Sequence, residues 1–259
     1  VIVAAKRTPV GAFQGNLSSV SAPNLGAVVI KALVEETGID PSQIDEVILG
    51  NVLAAGLGQA PARQAALYSG LPQTIETLTI NKMCGSGLKA VMLADQVIRS
   101  GDADVVIAGG MESMSNAPYL LPNARDGQRL GHGKMIDSMI HDGLWDAYHD
   151  KHMGTCAEML SKDRNFTREA QDEYAVSSYK RAQIAQAKGV FNSEIVPVEI
   201  PQRKGDPVLV SEDEEPGKAR FDKIPTLRPA FEKEGAITAA NASKLNDGAA
   251  AILVMNEDK

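Results

Sequence analysis

The feature that most constrains the fold is a regular exchange between short apolar runs and segments of helical periodicity from Val1 to Ala108. Val1–Ala4, Val47-Ile48-Leu49, Leu78–Ile80 and Val105-Val106-Ile107-Ala108 read as strands. The last is continuously apolar, as expected of a strand covered on both faces. A Gly-containing loop from Thr8 to Ser21 separates the first strand from the first helix. In that helix Leu25, Val28, Val29, Ala32 and Leu33 share one face, and Gly38 stands where a C-terminal cap belongs. Asp40-Pro41 restarts the chain with a cap residue and a proline at the first helical position. Ala60–Leu71 and Leu88–Ile98 read as further helices, the second apolar on most of its circumference and expected to be buried. Strands alternating with helices predict an α/β fold around a mostly parallel sheet with right-handed crossovers.

The pattern changes after Gly110. From Ser113 to about Gly154 the sequence is irregular and rich in Met, His, Asp and Gly. Thr155–Arg164 and Thr167–Lys188 then read as helices, the second closed by Gly189. Ile195–Ile200 reads as a strand that Pro197 confines to a sheet edge, and Lys204–Pro229 as an extended, charged loop. Strand composition returns only at Ala249–Met255, so the α/β domain is expected to receive its last strand after a long insertion. No internal repeat or low-complexity segment stands out.

Composition narrows the function classes. The 259 residues suffice for one or two domains, and apolar residues make up 44% of them. Aromatics are only 4%, so the core is expected to be aliphatic. The net charge of −7, without a basic stretch, argues against nucleic-acid binding. No apolar run approaches the roughly 20 residues that span a bilayer. Nor does a signal peptide stand out, and the start at Val1, inside a strand, suggests trimmed first residues. Two cysteines, Cys84 and Cys156, make no disulfide framework, so a reducing compartment is expected, bacterial cytoplasm or a mitochondrial matrix.

Cys84 stands in Asn81-Lys82-Met83-Cys84-Gly85-Ser86-Gly87-Leu88, between a strand and a helix, at the strand's carboxyl end. Ligands of open α/β sheets bind along that edge. At a helix N-terminus, unpaired N–H groups and the helix dipole favour a thiolate, and the flanking Gly-Ser-Gly lets a substrate approach the sulfur. The same N–H groups could stabilise an oxyanion. A free cysteine can equally be a packing residue, and this stretch supplies no base.

Cys84-Gly85-Ser86-Gly87-Leu88-Lys89-Ala90 resembles the acyl-enzyme signature of thiolases. Four other segments resemble that family in the same order: Ala5-Lys6-Arg7-Thr8-Pro9-Val10-Gly11; Ala108-Gly109-Gly110-Met111-Glu112-Ser113-Met114-Ser115; His152-Met153-Gly154-Thr155-Cys156-Ala157-Glu158; and Asn241 through Ala250. Together they cover essentially the whole chain. The resemblance implies a thiolase-like layered α-β-α domain with a mostly parallel mixed sheet. Residues 1–112 and 236–259 would form it, and 113–235 a long inserted loop domain that binds coenzyme A and, around Leu121–Met135, builds a tetramer as a dimer of dimers.

The implied activity is acyl transfer. Cys84 would take an acyl group from a coenzyme A thioester, and a second ester, deprotonated at its α-carbon, would attack it; in reverse, coenzyme A thiolyses a 3-ketoacyl ester. A covalent intermediate predicts ping-pong kinetics. No tightly bound cofactor is implied, since coenzyme A esters are the substrates. His152 directly before Met-Gly resembles the acetoacetyl-coenzyme A branch, in which two acetyl-CoA condense to acetoacetyl-CoA and CoA. The broad-chain 3-ketoacyl-CoA thiolases of fatty-acid β-oxidation are the alternative. A noncatalytic coenzyme A-binding or assembly module is the alternative of another class.

By resemblance, Leu144, Met153, Phe231, Ala239 and Ser243 line the pantetheine path, His152 lies near the thioester, and Lys218 and Arg220 meet the phosphates. Blander roles stay open: His152 bonding backbone within its loop, Ser243 capping a turn, Lys218 and Arg220 as solvated charges. His149, His152 and Cys156 have a spacing compatible with a metal but no convincing fourth ligand, so no metal site is expected. The family also uses a His in Gly-His-Pro, a second Cys in Cys-x-Gly and a water-orienting Asn, and this sequence contains none of those motifs. It therefore reads as the nucleophile-bearing part of a longer enzyme, with the second half absent and no turnover expected from it alone.

Overall fold

A computed structural model describes residues 1–259. Its main sheet has the order β1-β12-β5-β3-β4, with the two-residue β2 paired to the start of β12. The strands are β1 (Ile2–Arg7), β2 (Gly11–Ala12), β3 (Glu46–Gly50), β4 (Glu76–Ile80), β5 (Val105–Ser113) and β12 (Asn246–Met255). Only β12 runs against the rest; it lies antiparallel to β1, β2 and β5, whereas β5, β3 and β4 pair in parallel. The sheet is thus mixed, with five strands sharing one direction. Their carboxyl ends gather at one edge, where Gly50 pairs with both Ile80 and Gly110.

The two faces of the sheet follow from the two-residue period of the strands. Val47, Leu49, Val105 and Ile107 join the larger core under α1 (Ala22–Thr37) and α2 (Pro61–Tyr68), while Ile48, Val106 and Ala108 join a smaller one under α3 (Ser86–Ser100). α1 buries Leu25, Val29, Ile30 and Leu33 completely, each worth about 1.5–3 kcal/mol. Gly38 ends α1 as the sequence predicts, at φ +65°, with its N–H on Val34 O at 3.0 Å. Asp40 caps only a single 3₁₀ turn, Pro41–Gln43, accepting the Ser42 N–H at 2.9 Å.

α3 differs from expectation. It buries Ser86, Ala90 and Ala94, whereas Leu88 is 69% and Met92 51% exposed. The small residues let the helix sit close to the sheet, Val91, Leu93, Val97 and Ile98 pack half-buried against the same core, and Leu88 and Met92 face away, where nothing in this chain covers them.

Residues between β5 and β12 carry β6 (Tyr119–Leu120), β7 (Ile136–Asp137), β8 (Trp145–Asp146), β9 (Lys151–His152), α4 (Met153–Asp163) and α5 (Arg168–Ala187). They continue with β10 (Val198–Ile200), β11 (Val208–Val210) and α6 (Glu214–Lys218). A π-helical turn spans Met139–Leu144. Ile195–Ile200 is not one edge strand: Ile195 bridges Arg7 of β1, and after Pro197 the chain leaves to pair β10 with β11 as a separate ribbon. Proline has no N–H to continue the ladder. Lys204–Pro229 is likewise not a bare loop, since it holds β11, α6 and a 3₁₀ turn at Ile224–Thr226, with Val210 and Ile224 buried. Arg7 fastens this region to the sheet, donating to Glu194 at 2.6 Å and to both carboxylate oxygens of Asp213 at 2.7 and 3.1 Å.

Candidate active site

β4 ends at Ile80, and the turn that follows is built by its own polar atoms. Asn81 Oδ1 accepts the Met83 N–H at 3.0 Å, and Ser86 Oγ accepts the Lys82 N–H at 2.8 Å while donating to Met83 O at 2.6 Å. These bonds hold Met83 at φ +51°, a left-handed conformation that costs a non-glycine residue about 1–2 kcal/mol. The next residue is Cys84, which is exposed. It stands one position before the N-cap of α3, Gly85. The N–H groups of Gly87 and Leu88 find no acceptor within the chain, so the positive end of the helix is open beside the sulfur.

Cys84 borders a cavity of about 440 Å³ at the carboxyl ends of the parallel strands. Its walls are Thr8 after β1, Gly50 at the end of β3 with Asn51–Leu53 after it, Gly110–Glu112 of β5, Gly143-Leu144 of the π turn, and Gly248–Ala250 of β12. That volume is ordinary for a small-molecule site. Glycine is required at the floor: a Cβ on Gly50 would lie 2.5 Å from Ser86 Cβ and 3.0 Å from Gly87 N, forcing the start of α3 away.

Two polar residues in this wall have no role assigned from the sequence. Glu112 accepts the N–H groups of Val52 at 2.8 Å and Leu53 at 3.1 Å, and the Asn51 amide at 2.8 Å. Burial pushes its carboxyl above the usual carboxylate range, against the pull of those three donors. Asn51 is 2% exposed, and its Oδ1 is the one buried side-chain polar atom without a partner. The available signal was a carboxylate near the end of β5, beyond its apolar run and Gly109-Gly110-Met111.

Of the eight residues expected along the substrate path, only Leu144 borders the Cys84 cavity. His152 caps α4, its Nδ1 accepting the Gly154 N–H at 2.9 Å. Its ring stacks on Phe231 at 5.0 Å and meets Trp145 edge-on at 6.4 Å. The backbone-bonding role left open for His152 is therefore present, and Gly154 stays small because a Cβ would enter the Phe231 ring. Met153 is 42% exposed, and Ala239 and Ser243 are also exposed. Ser243 does not cap the turn; Thr238 and Asn241 do, by accepting the N–H groups of Ala240 and Thr238. Lys218 pairs with Glu214 at 3.1 Å, and Arg220 is exposed. His149 faces Asp146 at 2.7 Å rather than His152 or Cys156.

Replacing His152 by alanine removes a cap and a stacked ring pair, together about 2 kcal/mol. Thermal unfolding should report that loss, while alkylation of Cys84 by iodoacetamide changes less than about twofold. A drop of tenfold or more would mean that the imidazole acts on the sulfur.

An exposed cysteine on a turn over a small-residue floor has the access that covalent catalysis needs, and comparison with known proteins assigns the family. The thiolase N-terminal domain model matches residues 1–258, and the chain belongs to the thiolase family. It is 58% identical to an acetyl-CoA acetyltransferase of Cupriavidus necator, over all of this chain and 66% of that protein. An acetyl-CoA acetyltransferase of Pseudomonas aeruginosa is 55% identical, and a probable acetyl-CoA acyltransferase of Staphylococcus aureus 53%, each with the same coverage. The chain thus spans just under two thirds of the length of these relatives. The crystal structure of Acat5 thiolase from Ascaris suum in complex with coenzyme A superposes with a TM-score of 0.92 at 43% identity, covering 99% of this chain and 65% of that one. The layered thiolase fold implied by the motifs is the fold found.

Proposed function

We propose that this chain carries the acyl-bearing cysteine of an acetyl-CoA C-acetyltransferase, which reversibly condenses two acetyl-CoA to acetoacetyl-CoA and CoA. The observation that carries the reading is the exposed Cys84 on its strained turn, bordering the cavity at the sheet's carboxyl edge. Its thiolate attacks the thioester carbon; a Cys84 S–C bond forms, the bond to the coenzyme A sulfur breaks, and coenzyme A leaves as its thiolate. The second acetyl-CoA gives its α-proton to a base outside this chain, its α-carbon attacks the acyl carbon, and the bond to Cys84 breaks, returning the sulfur as a thiolate. Unpaired N–H groups at the start of α3 lower the cost of negative charge at the turn.

Proton transfer is a separate matter. No histidine borders the cavity, and both oxygens of Glu112 are engaged by N–H donors. The family's Gly-His-Pro and Cys-x-Gly motifs do not occur in this sequence, so the acyl-carrying half-reaction is the part assigned to it. Thiolysis of acetoacetyl-CoA by this chain alone should be undetectable, and robust turnover would overturn that assignment.

The reading places residues 113–235 over coenzyme A as an inserted loop domain, with 1–112 and 236–259 as the α/β domain. His152, Met153, Phe231, Ala239 and Ser243 would follow the pantetheine beyond Leu144, and Lys218 and Arg220 would meet phosphates. Coenzyme A esters enter as substrates rather than a resident cofactor. A homotetramer in the cytoplasm, or the mitochondrial matrix of a eukaryote, with a place in fatty-acid metabolism, completes it. No helix is long and apolar enough to cross a membrane.

The test is intact mass after incubation with acyl-CoA esters of increasing chain length. Acetyl-CoA should acylate the chain at least about tenfold faster than hexanoyl-CoA. Equal rates would replace the reading with a broad-chain thiolase. Coenzyme A binding with no adduct from any ester would replace it with a binding module.

A further inference from the structure

Glu112 lies on β5, yet all three of its donors belong to the segment after β3: the backbone N–H groups of Val52 and Leu53 and the side-chain amide of Asn51. That segment is tied on its other side to the cysteine turn, because the Asn51 N–H bonds Ile80 O at 3.0 Å, at the end of β4. Leu53 is 6% exposed and lies against the π turn, where a Cβ on Gly143 would stand 3.3 Å from Leu53 Cδ2. Asn51, Val52, Leu53, Glu112 and Gly143 all border the same cavity as Cys84.

The Asn51 amide supplies a second, independent observation. Its Nδ2 donates to Met111 O at 3.2 Å as well as to Glu112. Flipping the amide would set its oxygen against two acceptors, so the orientation is fixed. Oδ1 is consequently left without a donor in a buried position. A buried acceptor left unmet in this way costs stability, and such groups in native proteins call for a functional explanation. Here the arrangement holds the segment in place rather than maximising its hydrogen bonding.

We propose that Glu112, braced by Asn51 and acting through Val52 and Leu53, is a positioning residue that keeps one wall of the Cys84 cavity rigid and thereby limits the size of the group Cys84 can carry. This deepens the acyl-transfer reading and rests on it for the identity of that group. The wall itself can be tested without acyl transfer.

The experiment compares alkylation of Cys84 by N-methylmaleimide and N-cyclohexylmaleimide in the full chain, with rates read on the Cys84 peptide by mass. The wild-type chain should favour the smaller reagent by about tenfold more than free cysteine does. In Glu112→Gln one oxygen becomes an NH₂ that meets N–H donors, and the preference should fall to about twofold. Leu53→Ala, which trims the wall and leaves Glu112 intact, should lose the preference in the same way. A merely stabilising Glu112 would shift thermal unfolding and leave the ratio alone. An unchanged ratio in the folded variants, or no preference in the wild type, overturns the proposal. Lost preference together with an absent acetyl adduct would retain the wall and sink the acyl-transfer reading instead.

Discussion

Placing an alanine at Gly109 is expected to destabilise the chain by about 3 kcal/mol or more, lowering Tm by roughly 10 °C. Gly109 lies in the middle of β5, paired with Ala251 of β12. An added Cβ would stand 2.7 Å from Ala251 Cα and press on the carbonyl oxygen of Ala250. Both obstacles are backbone, so no rotamer change relieves them, and the central strand pair must separate. That pair also carries Gly110–Glu112 and Gly248–Ala250, which wall the Cys84 cavity. Differential scanning calorimetry checks the prediction. A Tm within about 2 °C of the parent would mean that β5 and β12 can move apart at little cost.

Replacing Cys84 by serine should lower the exchange of acetyl groups between acetyl-CoA and isotopically labelled CoA by at least about a thousandfold. That exchange needs only the first half-reaction, in which the acyl group moves to the cysteine and back. Serine keeps the shape of the turn but replaces a thiolate-forming group with a weak hydroxyl nucleophile, and no base borders the cavity to activate it. Cys156→Ser should change the exchange by less than about twofold. Cys156 is half-buried within α4, two residues beyond the glycine packed against Phe231, and it does not border the cavity. Loss of exchange in the Cys156 variant instead would move the nucleophile.

Much of this architecture was legible because local pattern and global fold agree. The continuous apolar run of β5 is buried on both faces, and of the face expected for α1 Leu25, Val29 and Leu33 are fully buried, with Val28 and Ala32 half-buried. Gly38 reads directly as a cap, since its left-handed backbone is a local property. The cysteine turn was legible for the same reason, its strand, turn and helix being consecutive.

What the sequence hid depends on distant partners. An apolar circumference on α3 says which residues prefer to leave water, not what would cover Leu88 and Met92. β11 exists only through its pairing with β10, and α6 only with Asp213 clamped by Arg7 and Glu214 accepting the N–H groups of Ala12 and Asn16. Glu112 and Asn51 look like isolated polar residues until β3 and β5 are set side by side. For His152, motif resemblance suggested a neighbourhood, but cap geometry decides where its Nδ1 points. Cys84 itself stands differently: its position explains why its sulfur is open, and the proposed acyl-carrier role rests on the family assignment.

The central claim is tested most directly by peptide mapping of the folded chain after incubation with acetyl-CoA, quenched at acid pH to preserve thioesters. The acetyl group should be found on the peptide carrying Cys84, and free coenzyme A should appear in equal amount. Acetyl confined to Cys156 or to surface lysines, or no acetylation at all at saturating acetyl-CoA, would contradict the assignment of Cys84 as the acyl carrier.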